Sequence, residues 1–198
     1  MSGHLGLPTL DDGRPYLHLR VAEHGKLLVL QGQLRLALAH FRWAMKAVLD
    51  AGDPEAFSRL YLELVVETLE RMGALDDVLR WCDEAEAFYS QPALEGEALA
   101  MAERAHAGLK RGVTLLRRGE ADRATEALSL ALSHAEAAGQ RHPLVERLHR
   151  WGAQGLHIDP ARLEAELQQH RYYIIRADSV RPEIALALPP ELLPPGSL

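Results

Sequence analysis

Asparagine is missing from this chain altogether, and cysteine occurs once, at Cys82. The first absence leaves no N-glycosylation acceptor. The second rules out an internal disulfide and fits a reducing compartment. Isoleucine does not occur before Ile158, and with β-branched residues so sparse a large sheet is not expected. No apolar run approaches the roughly 20 residues that a helix needs to cross a bilayer. The opening MSGHLGLPTLDDGRPY has neither the basic start nor the apolar middle of a secretory leader. Together these absences predict a soluble, cytoplasmic protein with no membrane association.

What remains is a helix-forming composition. Ala, Leu, Glu and Arg dominate a chain of 198 residues that is 47% hydrophobic, which favours helices and is enough for one core or one short solenoid. The net charge of −6 is uneven: residues 1–50 carry +2, 51–103 carry −10 and 104–198 carry +2. A nucleic-acid footprint needs a basic stripe to displace counterions, so none is expected. An acidic middle suits a protein or peptide partner with a basic and apolar segment. The plain alternative is that these glutamates solvate exposed helix faces.

The most organised stretch is GVTLLRRGEADRATEALSLA, residues 112–131. Gly112, Gly119, Ala124, Leu128 and Ala131 read as helix, turn, helix. Gly112 lies on the inner face of the first helix, Gly119 supplies the turn, and the last three form one stripe of the second. The figure recurs 87 residues earlier as Gly25, Gly32, Ala37, Phe41 and Ala44, with Leu28 matching Leu115. A looser copy lies 41 residues after the first, with Val66, Gly73, Val78, Cys82 and Ala85 in the same slots.

These residues resemble the tetratricopeptide repeat, in which small and apolar residues at fixed positions lock a helical hairpin. The resemblance covers residues 18 to 139. It departs from the family in the spacing of the turn glycines, 41 and then 46 where the family has about 34. Val21, Leu62 and Gly108 stand where the family has tryptophan, and the closing proline is displaced. The fold it implies is all-α: a TPR-like α-solenoid of three hairpins with long helices, C-terminal capping helices and a proline-rich extended tail. By the same resemblance, the first helix of each hairpin lines a concave wall. Its charged and polar positions include Glu23, and those expected to meet a partner are Lys26 in the first copy, Glu63, Glu67, Glu70 and Arg71 in the second, and His106, Lys110 and Arg117 in the third. These are the candidate partner-binding residues. Family members that clamp a chaperone's C-terminal carboxylate use asparagines, and this chain has none.

In order, the expected parts are an irregular arm over 1–15, the solenoid with a capping helix over 16–154, a C-terminal helix within 155–178 and an extended tail over 179–198. Ala51-Gly52-Asp53-Pro54 and Asp159-Pro160 are helix boundaries with an aspartate cap and a proline at the first helical position. From Pro92 to Arg118 no proline interrupts, which predicts one long helix. Another is expected from Pro160 to about Arg176, although Tyr172-Tyr173-Ile174-Ile175 has strand propensity. Beyond it, alternate apolar residues Ile184, Leu186 and Leu188 suit an extended segment pressed into a groove of this molecule or of a partner. The plainer alternative is a disordered tail.

Catalytic signals are absent. The chain has no phosphate-binding glycine loop, no nucleophile elbow and no paired metal-ligand spacing among its ten histidines. His142 and His149, seven apart, are the nearest approach to a metal pair. Cys82 falls in an inner-face slot and reads as a packed small hydrophobe. No enzyme activity, cofactor or metal is expected. The leading expectation is a non-catalytic interaction module: an adaptor, assembly factor or chaperone. The alternatives are a regulatory sensor for a small ligand or peptide, and a subunit that self-associates through its tail.

Overall fold

A computed structural model describes residues 16–50, 54–94, 96–156 and 158–193. The expected N-terminal arm, the Ala51-Gly52-Asp53 boundary and the end of the tail lie outside the described residues. Among those described there is no strand, and eight α-helices follow one another: α1 (Leu17–Leu30), α2 (Leu34–Asp50), α3 (Pro54–Met72), α4 (Leu75–Tyr89), α5 (Ala98–Arg117), α6 (Ala121–Ala137), α7 (Pro143–Ala153) and α8 (Pro160–Gln169). The chain forms two compact units, residues 1–68 with 175–198, and residues 69–174.

In the first unit α1 packs on α2. Gly25 is what lets them close: a Cβ there would lie 2.6 Å from the Phe41 ring. Val21, Ala37, Phe41 and Ala44 are all fully buried, as are Tyr61 and Leu64 of α3, and the Tyr61 hydroxyl lies 2.5 Å from His18 Nδ1 of α1. In the second unit α5 packs on α6 through the corresponding pair, a Cβ on Gly112 falling 2.6 Å from Leu128. Its main cluster runs from Leu109, Val113 and Leu128 to Leu144, Leu148 and Trp151 of α7 and Leu163 and Leu167 of α8. On α7, Leu144, Leu148 and Trp151 recur at helical spacing and all face inward.

The turn at Gly119 has φ +77°, a left-handed conformation that costs glycine little. Its N–H donates to the Leu116 carbonyl, and the Glu120 N–H reaches back to Leu115, satisfying carbonyls at the end of α5. Gly32 closes α1 with the same pair of bonds, on Val29 and Leu28.

Three expectations about helix extent need correction. Pro92 does not open a long helix: Pro92–Leu94 make one 3-10 turn, Gly96 takes φ +78°, and α5 starts at Ala98. The helix from Pro160, capped by Asp159 through Arg162 N–H, stops at Gln169 rather than Arg176. Arg171 there adopts φ +52°, and the Arg171 and Tyr172 N–H groups bond Gln168 and Leu167 as a glycine stop would. Residues 172–175 are neither helix nor strand. From Ile175 to Leu193 the chain is irregular, with three short 3-10 turns. Through residue 188 this segment lies against the helices of the first unit.

Candidate functional site

Six of the eight residues expected to meet a partner meet the chain's own C-terminal residues, in a different way in each unit: Lys26 and Glu67 in the first, Glu70, Arg71, Lys110 and Arg117 in the second. In the first unit the helices bind main chain. Lys26 Nζ donates to the Ser179 carbonyl at 2.7 Å and pairs with Glu23 at 2.7 Å. Glu23, almost fully buried, accepts the Arg181 N–H at 2.8 Å, and the Arg181 guanidinium lies 3.4 Å from its other oxygen. Glu67 accepts the Ile175 N–H at 3.1 Å. The Leu186 N–H donates to the Arg20 carbonyl at 3.0 Å, and Arg20 Nε returns a bond to the Ile184 carbonyl at 3.3 Å.

The last contact of this series is made by His40 of α2. Its Nδ1 lies 2.8 Å from the Leu36 carbonyl and its Nε2 3.0 Å from the Leu188 N–H. A carbonyl only accepts and an amide N–H only donates, so the ring is the neutral tautomer with its proton on Nδ1. Burial lowers its pKa, with a smaller contribution from His24, whose ring centroid is 5.0 Å away on α1. Ile175 and Leu188 are the segment's two buried apolar ends, while Ile184 and Leu186 are half-buried between them.

In the second unit the contacts are made by side chains. Glu70 and Lys110 form an ion pair at 2.7 Å with only 0% and 2% of their side chains exposed. The Tyr172 hydroxyl donates to Glu70 at 2.5 Å and the Tyr172 ring lies under the Lys110 ammonium at 4.2 Å. Arg117 reaches Glu70 at 3.4 Å and donates to the Tyr173 hydroxyl, which itself donates to Glu164 at 3.0 Å. Arg71 covers the Tyr173 ring at 4.3 Å. Burial, then the Glu70 carboxylate, raises the Tyr172 phenol well above its ordinary value, and burial pushes Tyr173 up to about 12, so both remain protonated donors.

Of the candidates, then, Lys26 and Glu67 hold main chain in one unit, while Glu70, Arg71, Lys110 and Arg117 converge on Tyr172 and Tyr173 in the other. Glu63 lies half-buried on α3. His106 packs edge-on to Trp81 and lines a cavity of about 240 Å³ with His142, His170, Arg171 and Tyr172. His142, considered above with His149, thus shares this cavity with two other imidazoles; its pKa is lowered by burial and then by His106. Among the described residues no group of His, Cys, Asp or Glu is arranged to hold a metal. Burial pushes the Cys82 thiol up to about 12, which keeps it protonated and inert near neutral pH.

Sequence reasoning passed over His40 and Arg181. The signal for His40 was present: it sits three residues after Ala37 and four before Ala44, on the buried stripe of α2, where an imidazole has to find partners. Among the described residues no helix is long and apolar enough to cross a membrane. No protein-family model, no curated protein and no solved structure matches the chain.

Proposed function

We propose that the chain is a non-catalytic protein–protein interaction module, built as a TPR-like solenoid, that holds a segment of another protein along the helices now engaged by its own residues 175–188. The observation that carries this reading is the set of bonds in the first unit. Side chains of Arg20, Glu23, Lys26, His40 and Glu67 are all satisfied by main-chain groups of one irregular segment. Main-chain recognition of this kind gives affinity for an extended chain without fixing most of its side chains, as in other modes of peptide capture. A partner enters by exchange with the resident segment, and its affinity is reduced by the fraction of molecules in which the seat is filled.

The test is capture of partners from the native cell by the full chain, compared with Lys26→Glu and Glu63→Lys. The expected result is a partner retained by the parent and lost from Lys26→Glu at a temperature where that variant, although less stable, is still folded by circular dichroism. Capture that is indifferent to both variants overturns the reading.

A further inference from the structure

The resident segment also specifies what can replace it. We infer that the first unit recognises an irregular, non-helical segment of a partner protein carrying an apolar residue, an arginine six positions later and a second apolar residue seven beyond that, the pattern of Ile175, Arg181 and Leu188. This inference rests on the interaction-module reading and names the partner's chemistry.

Each feature has a matching group. Ile175 is 1% exposed and Leu188 5%, so the two ends of the segment are the apolar anchors. Between them lies Arg181, whose N–H and guanidinium both address Glu23. Glu23 is 2% exposed and already carries Lys26 at 2.7 Å, so one carboxylate holds a lysine and an incoming arginine. A neutral residue at the arginine position leaves Glu23 with Lys26 and the main-chain N–H alone, and an acidic one sets a second carboxylate beside it, which makes this position the selective one. Glu183 and Ala187 are exposed and impose no requirement. The arginine side chain stays 52% exposed, so it reaches Glu23 from the solvent side and can be exchanged without opening the core.

The probe is a fluorescent peptide of residues 174–189, titrated by anisotropy against the full chain. In the parent, the tethered segment competes at the high effective concentration that a short linker gives. Weakening the tethered copy by Arg181→Ala, a surface change, or by Leu188→Asp is expected to tighten peptide binding about tenfold or more, the competition being removed. Glu23→Gln added to Arg181→Ala is expected to return binding to the parent level, and a peptide with alanine in place of its own arginine is expected to bind least. Two results overturn the inference: no peptide binding to either weakened chain with an intact unfolding transition, or equal binding with and without Glu23→Gln. A parent that is a dimer, and becomes a monomer on Arg181→Ala, overturns the choice of a foreign partner in favour of a second copy's own tail. A Lys26-dependent partner captured from cells while the weakened chains take no peptide keeps the interaction module and discards this pattern.

Discussion

The two units treat neighbouring stretches of the same C-terminal sequence in opposite ways. In the first, helices address the main chain of residues 175–188, so that most side chains of the segment are free to change. In the second, two tyrosines are recognised by hydroxyl and ring, around a carboxylate–ammonium pair that water does not reach. The first arrangement suits an exchangeable occupant and the second a fixed one. Substitutions in the two places should therefore differ by several kcal/mol, and that difference can be measured.

The largest loss is expected from Lys110→Met, which strands Glu70 in a buried site; removing one member of such a pair costs about 3–5 kcal/mol. Urea unfolding reads it, and a Lys110→Met/Glu70→Leu double variant should recover much of the loss. Next come the two helix glycines. Gly25→Val and Gly112→Val each drive a side chain into Phe41 or Leu128 at a position where even a Cβ lies at 2.6 Å, and should each cost about 3 kcal/mol, the upper end for overpacking. Equal losses would show that the helix contacts of the two units are alike and that the contrast resides in the C-terminal segment. Tyr172→Phe follows at about 1.5–3 kcal/mol, the range for a hydrogen bond to a charged group; a loss near zero would remove the claim that the second unit depends on side-chain contacts.

Much of the helix pairing was legible because it depends on residues with local consequences. Gly25 with Phe41 and Gly112 with Leu128 are 16 apart, a helix-turn-helix separation, and the turn glycines mark themselves. Where a local signal was missing the reading overshot. Arg171 takes a left-handed φ that a glycine would advertise, so the sequence points to a longer α8 than the fold contains. The Glu70–Lys110 pair joins residues 40 apart, and Tyr172 reaches Glu70 across 102. No periodicity encodes such partners, so residues expected to be open to a partner proved to be held by the chain itself.

Acidification should loosen the first unit's hold at Leu188. His40 is neutral in the fold and its pKa is lowered, so the unfolded chain takes up the proton first. The stabilisation is complete above the ordinary value of 6.5 and declines as pH falls through it toward the lowered folded value. Protonated, Nε2 becomes a donor facing the Leu188 N–H, and His24, also lowered by burial, adds a second charge nearby. The protection of the Leu188 amide, relative to its intrinsic exchange rate at each pH, should fall below that pH more than that of Tyr172, and His40→Gln should flatten the dependence. Only one bond of the series is at stake, so this effect is smaller than those above.

The smallest effect is the most discriminating. If the first unit binds main chain, then Glu183→Gln and Ala187→Ser, at exposed positions of the segment, should change stability by no more than about 0.5 kcal/mol, the range for surface changes, and should leave the peptide titration untouched. Proline at position 188 alters no charge but removes the N–H that His40 accepts. That change should speed amide exchange along 184–187 although leucine and proline are both apolar. An outcome in which the side-chain changes matter and the loss of the N–H does not would mean that the segment is held by its side chains after all. The two units would then bind their stretches of sequence by the same physics, and the case for exchange would fail.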